Sequence, residues 1–157
     1  MNKYTLCYLI KGNKICLARK KRGFGANRWN GSGGRFEKDL DKNIRQTAIR
    51  ETLEEIGVKA EKLKKVAELT FYWTENPSWN RIVYVYFTKD WIGNPKETEE
   101  MKPRWFSIKR LPYKSMWPDD IYWLPKVLKG RFIKGKFIFG KNDVILNKRI
   151  KTIQGGL

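Results

Sequence analysis

Three glutamates close together in the chain are the side chains best suited to hold a metal ion. Glu51, Glu54 and Glu55 lie in the run from Arg50 to Gly57. On a helix, which turns by about 100° per residue, the three carboxylates fall within roughly one third of the circumference. Glu51 and Glu55 are four residues apart, so their like charges would destabilise an isolated helix unless a cation that prefers oxygen ligands neutralised them. The alternative is a solvated acidic helix face.

A glycine-rich turn and a well-delimited helix would position these carboxylates. Asn43, with Gln46 three residues later, matches the capping box that begins a helix. Gly57 suits the left-handed position that ends one. In the preceding turn, Gly33 and Gly34 would let the backbone approach a metal ion closely, so a carbonyl oxygen there could add a ligand. The opposite helix face is expected to pack against a sheet and carries Ile49, Thr52, Leu53 and Ile56.

Segments of strand type surround this helix. The order strands, helix, strands, helix, strands predicts an α/β (α+β) fold in which a mixed β-sheet lies between helices as an α/β/α sandwich. With 157 residues, the chain is expected to form one domain spanning 1–157. The predicted elements are a hairpin of 4–10 and 14–19, strands at 65–73, 81–89 and 103–107, one helical turn at 108–112, a helix from about 121 to 129, a closing hairpin of 131–139 and 144–153, and a frayed end at 154–157.

The composition excludes several kinds of site. The chain has no histidine, which excludes a histidine base and a zinc site with histidine ligands. Cys7 and Cys16 lie in strand-like segments without metal-type spacing, so we expect buried reduced thiols. No apolar run approaches the ~20 residues of a membrane span, and the first residues match neither a signal nor a transit peptide. We therefore expect a cytoplasmic monomer with no membrane partner.

The chain is strongly basic, with a formal charge of +18. Such a charge attracts nucleotides and predicts nonspecific affinity for nucleic acid, although the lysines are scattered and a solvated basic surface is the alternative. Three consecutive cations, Lys20 to Arg22, stand beside glycines in the loop that ends at Arg28. They could grip phosphates, or the loop could simply be solvated.

The run Arg50-Glu51-x-x-Glu54-Glu55-x-Gly57 after a Gly-Gly turn resembles the Nudix box, the signature of hydrolases that cleave nucleoside diphosphates linked to another group. In that box a glutamate stands eight residues before the arginine, but this chain has Lys42 there. Gly34 lies two residues too early. We therefore predict a two-residue insertion that lengthens the turn and leaves the helix in register, with the missing glutamate replaced by Glu37, Asp39 or Asp41.

The resemblance implies the Nudix fold and Mg²⁺-dependent hydrolysis, with Mn²⁺ as a substitute cofactor. Glu55 or a metal-bound hydroxide would act as the base, and these two alternatives stay open. Arg50 is expected to orient the carboxylates through a buried ion pair. A further acid from a loop outside the box is implied, with Glu100 as the candidate and Glu99 as the alternative. The expected metal ligands are Gly33, Glu51, Glu54, Glu55 and Glu100, and the expected catalytic residues are Arg50, Glu51, Glu55 and Glu100.

A narrower resemblance runs over nearly the whole chain. The segments 20–34, 100–106 and 116–123 are similar to those of the oxidised-purine nucleoside triphosphatases within the Nudix family. Trp117 offers a flat face for a purine, and base–aromatic stacking of this kind is worth about 1–3 kcal/mol. Burial and mutual repulsion should raise the pKa of Asp119 or Asp120, and a protonated carboxyl can donate a hydrogen bond. The alternative is that one of them caps the following helix. The expected substrate-binding residues are Thr5, Lys20, Phe24, Asn30, Gly34, Phe71, Trp117, Asp119 and Asp120.

The expected function is hydrolysis of 8-oxo-dGTP or 2-hydroxy-dATP to the monophosphate and pyrophosphate, which sanitises the nucleotide pool. One alternative is a Nudix hydrolase of another nucleotide, such as a methylated purine nucleotide, a dinucleoside polyphosphate or a cap. A second alternative is a basic RNA-binding module that no longer hydrolyses. The intact glutamate trio argues against that second alternative, because a binding module does not need three carboxylates held together.

Overall fold

The computed structural model describes residues 1–153, and the predicted frayed end at 154–157 lies outside them. Within the described residues the chain forms ten strands and two α-helices. In chain order they are β1 (Asn2–Lys11), β2 (Lys14–Lys20), β3 (Trp29–Asn30), α1 (Ile44–Ile56), β4 (Lys59–Glu61), β5 (Lys64–Trp73), β6 (Arg81–Thr88), β7 (Asp90–Ile92), β8 (Met101–Ser107), α2 (Asp120–Leu128), β9 (Phe132–Phe139) and β10 (Ile145–Ile153).

The main sheet is mixed and has eight strands in the order β10-β9-β5-β6-β1-β2-β3, with β8 also paired to β2. The pairs β1–β6 and β5–β9 are parallel, and the other neighbours are antiparallel. The predicted hairpins β1–β2 and β9–β10 are confirmed. Strands β4 and β7 pair separately as a small antiparallel ribbon, which the sequence did not predict.

Strand β1 shows how the sheet separates two layers of helix. Successive side chains of a strand point to opposite faces. Tyr8 accordingly packs in one buried cluster with Trp123 of α2, whereas Cys7 packs in another with Ala48 of α1. The next residue on the α1 side, Leu9, packs with Ile56 of α1. The sheet therefore lies between α1 and α2, and the predicted sandwich of a mixed sheet and helices is confirmed.

Both predicted ends of α1 are confirmed. The Asn43 side chain accepts a hydrogen bond from the backbone N–H of Gln46 at 2.9 Å. Gly57 adopts a φ of 72° and donates its N–H to the Leu53 carbonyl at 3.0 Å. The prediction that Leu53 packs against the sheet was wrong, because half of this residue is exposed. The buried residues of α1 are Thr47, Ala48, Thr52, Glu55 and Ile56, and three of them, Ala48, Thr52 and Ile56, stand four residues apart on one stripe.

The segment between β8 and α2 differs from the prediction. Residues 108–110 form a turn and bend, and the one short 3₁₀ helix between β8 and α2 is Tyr113–Ser115. Ile108 donates its backbone N–H to the carbonyl of Asn13, which holds this turn against the β1–β2 connection instead of leaving it free to coil. Of the helices among residues 1–153, neither α1 nor α2 is long and apolar enough to cross a membrane.

Candidate active site

A cavity of about 360 Å³ opens at one end of the main sheet. Its walls come from β1, the loop between β2 and β3, the glycine turn, β5, β6, β9 and the start of α2. All nine residues expected to bind substrate line it, as do Gly33 and Glu55 of the expected metal set. The nine are Thr5, Lys20, Phe24, Asn30, Gly34, Phe71, Trp117, Asp119 and Asp120.

The glycine turn packs closely against β1 and α1 and is hydrogen-bonded to both. Thr5 donates its N–H to the Gly34 carbonyl at 2.9 Å, and the Gly33 N–H donates to Glu55 Oε1 at 2.6 Å. A Cβ atom on Gly33 would lie 1.7 Å from the Thr5 carbonyl oxygen, and one on Gly34 would lie 2.4 Å from Glu51 Cδ. Only glycine fits at position 33, where the clash is with the backbone, whereas a Cβ at position 34 would displace the end of the Glu51 side chain. The absence of side chains brings the backbone next to the carboxylates.

Asp41 takes the place of the glutamate that the box spacing assigns to residue 42. It accepts two hydrogen bonds from Arg50, Nε to Oδ1 at 2.8 Å and Nη2 to Oδ2 at 2.9 Å. The hydroxyl of Thr47 and the backbone N–H of Glu37 also donate to Oδ2. The Arg50 hydrogen bonds lower the pKa of the Asp41 carboxyl to about 2. Of the three acids considered from the sequence, Asp41 is therefore the partner of Arg50.

Arg50 also reaches two carboxylates of the glutamate trio. Its Nη1 lies 2.8 Å from Glu51 Oε1 and 3.5 Å from Glu54 Oε2. Because Asp41 holds the other side of the guanidinium, Arg50 is fixed in position and brings these two carboxylates toward one point. This geometry matches the orienting ion pair expected for Arg50.

Burial is the largest influence on the pKa values of Glu51 and Glu55. Burial raises the pKa of Glu55 to about 8, although the hydrogen bond from the Gly33 N–H opposes the shift. Burial also raises the pKa of Glu51, against the charge and hydrogen bond of Arg50. Two desolvated carboxyls beside a backbone turn are an arrangement that a bound cation would stabilise in the ionised form.

The donor set fits a hard divalent cation. Glu51, Glu54, Glu55 and the carbonyl of Gly33 supply the oxygen ligands that Mg²⁺ and Mn²⁺ prefer. As the side chains stand, however, no three acidic or cysteine groups among residues 1–153 lie close enough together to enclose a metal ion. Arg50 currently shares the oxygens of Glu51 and Glu54, so a cation would compete with it for them.

The expected additional acid, Glu100, is not part of the cavity wall. Its carboxylate is exposed and pairs with Arg22 at 3.2 Å. The negative charge of Glu100 nevertheless contributes to the raised pKa of Glu55. Glu99, the alternative, is 90% exposed at its side chain and lies 3.9 Å from the same arginine. The structure therefore does not bring either acid together with the glutamate trio.

Two further buried carboxyls line the same cavity. Asp119 and Asp120 are 3% and 2% exposed. Burial raises the pKa of Asp119 to about 6, and burial together with the charge of Asp119 raises that of Asp120 well above its usual value. Asp119 Oδ2 accepts a hydrogen bond from Trp123 Nε1 at 2.7 Å, and its side chain makes no helix-capping bond. The capping alternative is therefore wrong for Asp119.

Asp120, which lines the cavity, carries a buried side-chain oxygen without a hydrogen-bond partner among the described residues. Its Oδ2 makes no hydrogen bond to any group in residues 1–153. Nearby, Asn30 Oδ1 accepts from the Tyr8 hydroxyl at 2.9 Å and from the Gly31 N–H at 2.8 Å. These two donors fix the amide so that its Nδ2 remains available to the cavity. Asp120 Oδ2 and Asn30 Nδ2 are therefore polar groups of the site that a ligand could hydrogen-bond.

These features agree with the comparisons to known proteins. The sequence profile described as NUDIX domain matches residues 3–127. The chain belongs to the Nudix family. It is 37% identical over 150 residues to a Mus musculus protein named oxidized purine nucleoside triphosphate hydrolase, a match that covers 96% of this chain and 94% of that protein. A Danio rerio protein of the same name is 35% identical over the same shares of the two chains.

The Nudix fold is also seen in solved structures. The crystal structure of a MutT protein from Bacillus halodurans superposes with a TM-score of 0.82 and covers 96% of this chain and 98% of its own. Its sequence identity is 20%, so it speaks for the fold alone.

Several residues of this Nudix site were not singled out from the sequence. Arg28 lies with its Cζ 4.1 Å from the Trp117 ring centroid, and its Nη1 pairs with Asp143 at 3.0 Å. Asp143 also accepts from Trp73 Nε1 at 3.0 Å, so one carboxylate of the β9–β10 turn ties two pocket walls together. Arg81, the first residue of β6, lines the cavity as well. Polar residues at a strand end and in a hairpin turn carried no spacing signal that would have identified them.

Proposed function

We propose that this Nudix protein hydrolyses oxidised purine (deoxy)nucleoside triphosphates, such as 8-oxo-dGTP or 2-hydroxy-dATP, to the monophosphate and pyrophosphate, and so sanitises the nucleotide pool. The observation that carries the proposal is the buried Asp119–Asp120 pair. It lies in the same cavity as Glu55 and the glycine turn, so a nucleotide could be read at its base at one end and hydrolysed at its phosphates at the other. The names of the mouse and zebrafish relatives support this substrate class.

Base recognition follows from the protonation of the two aspartates. Burial and the charge of Asp119 raise the pKa of Asp120 and so favour its protonated form, which can donate one hydrogen bond and accept another. Asp119, with a pKa of about 6, can accept when ionised. Asn30 adds an amide donor. A purine that carries an extra oxo group presents N–H donors and carbonyl acceptors, which this set can satisfy. Trp117, Phe71 and Phe24 provide the aromatic walls, whereas Thr5 and Gly34 face the sugar and phosphates.

At the phosphate end, Glu51, Glu54, Glu55 and the carbonyl of Gly33 would hold Mg²⁺, with Mn²⁺ as a substitute, and the cation would screen the triphosphate charge and polarise its phosphoryl oxygens. Arg50 orients the carboxylates of Glu51 and Glu54 through the contacts described above.

Proton transfer and phosphate attraction are assigned to two further side chains. Glu55 takes the proton of the attacking water, because it lines the cavity beside the glycine turn and the bound cation would keep its carboxylate ionised, although burial raises its pKa to about 8. Lys20 attracts the triphosphate, and its charge already acts on Glu55, where it lowers the pKa. Glu100 remains the candidate for a further acid, with Glu99 as the second choice.

Replacing Glu55 tests the site directly. We expect Glu55→Gln to reduce turnover of 8-oxo-dGTP by at least about a hundredfold while nucleotide affinity is retained, because general acid–base catalysis contributes at this scale. Glu75→Gln is the matched control, since Glu75 is exposed and outside the cavity. Near-normal turnover by the Glu55 variant would show that the residues are wrongly assigned.

A panel of nucleotides distinguishes the other candidates. The protein is incubated with Mg²⁺ and 8-oxo-dGTP, 2-hydroxy-dATP, a methylated purine nucleotide, a dinucleoside polyphosphate and a cap analogue, and the products are identified by chromatography. The charge of +18 keeps RNA binding as a second candidate function. A steep salt dependence of RNA affinity without any phosphate release from the panel would favour it.

The proposal also includes a single domain over 1–157, cytoplasmic residence and a monomeric state. Cys7 and Cys16 are both buried and free, which agrees with a reducing compartment.

A further inference from the structure

Arg81 brings a positive charge into the aromatic part of the cavity. Its Cζ lies 4.0 Å from the ring centroid of Tyr4, 4.5 Å from that of Phe24 and 5.5 Å from that of Trp73. Burial lowers the pKa of the Arg81 guanidinium, but an arginine stays charged at any physiological pH. Three rings thus hold a desolvated cation at the cavity wall.

The guanidinium of Arg81 has hydrogen-bond donors that the described residues do not use. Its Nε donates to the Trp79 carbonyl at 2.8 Å, and within residues 1–153 no carboxylate oxygen lies within 4.0 Å of its nitrogens. Arg28, the other arginine of the cavity, differs in this respect because Asp143 neutralises it. The two terminal nitrogens of Arg81 carry four N–H groups that a ligand could use.

Arg81 and the aspartate pair act on different parts of the cavity. Asp119 accepts a hydrogen bond from Trp123 of α2, whereas Arg81 packs on the rings of Tyr4, Phe24 and Trp73. Within residues 1–153, no ion pair within 4.0 Å joins Arg81 to Asp119 or Asp120. The lining of the cavity therefore includes a carboxyl wall, formed by Asp119 and Asp120, and a cationic wall, formed by Arg81 on the rings of Phe24 and Trp73. A planar base that reaches both walls would meet acceptors and a protonated carboxyl at one edge and arginine donors at the other.

We propose that Arg81 is a specificity-determining residue that donates to an oxo oxygen on the edge of the purine turned away from Asp119 and Asp120. This inference rests on the proposed function. Oxidation converts a ring C–H group into a carbonyl, which accepts a hydrogen bond that the unmodified ring cannot accept. An unmodified purine would leave the desolvated donors of Arg81 unsatisfied, and such mismatches discriminate strongly between analogues. The favoured ligands are purine nucleotides with an added oxo group.

Binding of the monophosphates in the absence of metal tests this role apart from hydrolysis. Affinities for 8-oxo-dGMP and dGMP are measured by titration calorimetry with the unaltered protein, Arg81→Met and Arg81→Lys. Arg81→Met removes the donors but keeps an unbranched side chain against the rings, and we expect it to lose about tenfold or more in affinity for 8-oxo-dGMP with little change for dGMP. Arg81→Lys should retain part of the preference. Arg104→Met is the control, because Arg104 stacks on Phe106 outside the cavity.

The outcomes separate the two proposals. If Arg81→Met lowers both affinities equally, Arg81 is only a packing residue, and if it changes neither affinity, Arg81 does not touch the base. Either result overturns the inference and leaves the proposed function intact. If the unaltered protein binds both monophosphates equally, the preference for oxidised bases fails and the inference fails with it. Thermal unfolding verifies that each variant is folded. If Arg81→Met does not fold, the comparison of Arg81→Lys with the unaltered protein tests the inference.

Discussion

Asp41 accepts two hydrogen bonds from the guanidinium of Arg50, and its side chain is only 1% exposed. The Nudix spacing calls for a longer side chain one residue later in the sequence. The predicted two-residue insertion would let a shorter aspartate reach the same arginine from position 41. Charge-assisted bidentate pairs of this kind fix an arginine in both distance and orientation. The relationship explains how the trio stays in register although the turn does not match the usual pattern.

Replacing Asp41 by alanine should lower both the stability of the protein and its catalytic rate. We expect Asp41→Ala to lower the free energy of unfolding by about 2–4 kcal/mol, because Arg50 loses its partner in a largely buried pair. kcat should fall more than KM rises, since Glu51 and Glu54 lose the anchored arginine that orients them. Urea denaturation and steady-state kinetics provide the measurements. Asp39→Ala is the control, because Asp39 is exposed. Unchanged stability of Asp41→Ala would refute the structural role of the pair.

Gly34 should be needed for metal binding more than for folding. A Cβ atom there would lie 2.4 Å from Glu51 Cδ, so Gly34→Ala must displace this carboxylate, which is the end of a side chain that can move. We expect a folded variant with at least about tenfold weaker Mn²⁺ affinity, as seen when the support of metal ligands is disturbed. A titration with Mn²⁺, monitored by electron paramagnetic resonance, measures this affinity.

Gly12→Ala serves as the comparison for Gly34→Ala. A Cβ on Gly12 meets no atom within 4 Å, although its φ of 60° makes the substitution strained. This variant should lose some stability and keep its Mn²⁺ affinity. Equal Mn²⁺ affinity in both glycine variants would mean that Glu51 does not hold the metal.

Replacing Asp119 by a neutral residue should make the folded protein more stable at pH 7. Its folded pKa of about 6 lies above the unfolded value of about 3.9. The folded state therefore binds more protons than the unfolded state between these values, and stability falls as the pH rises from about 4 to 6. Asp119→Asn removes that loss while its carbonyl can still accept from Trp123. We expect it to be more stable than the unaltered protein at pH 7, by at least about 1 kcal/mol.

The same substitution should impair base selection. Asp119→Asn and Asp119→Ala should both reduce the preference for oxidised over unmodified dGTP, while Mn²⁺ affinity is unchanged because Asp119 is hydrogen-bonded to Trp123 and is not one of the proposed metal ligands. Denaturation at pH 4 and pH 7 and kinetics with both nucleotides measure the two effects. If Asp119→Asn were less stable at pH 7 and kept full selectivity, the buried pair would be structural and would not read the base.

Local signals in the sequence were sufficient for much of the fold and for one half of the site. Asn43 and Gly57 predicted both ends of α1, because capping depends on residues next to each other in the chain. The segment around Trp117 predicted the aspartate pair, since its residues are contiguous. The choice of Asp41 among three acids could not be made in the same way. It depends on the path of the turn, which is determined by where Arg50 lies.

Long-range contacts explain what was missed. Arg81 enters the cavity because β6 runs parallel to β1 and places this residue opposite Asn2, a register that no local pattern reveals. Asp143 reaches Arg28 across 115 residues of sequence. Leu53 follows the apolar period of α1 but lies at the edge of the packed face, where burial depends on the neighbouring strands.

The most direct test compares hydrolysis of 8-oxo-dGTP and dGTP by the unaltered protein with Mg²⁺ and after removal of the metal with a chelator. Chromatography identifies the products, and initial rates give kcat/KM for each nucleotide. We expect conversion of 8-oxo-dGTP to 8-oxo-dGMP and pyrophosphate that stops without metal, with kcat/KM at least about tenfold above that for dGTP. Equal kcat/KM values for the two nucleotides, or no metal-dependent release of pyrophosphate from either, would contradict the proposed function.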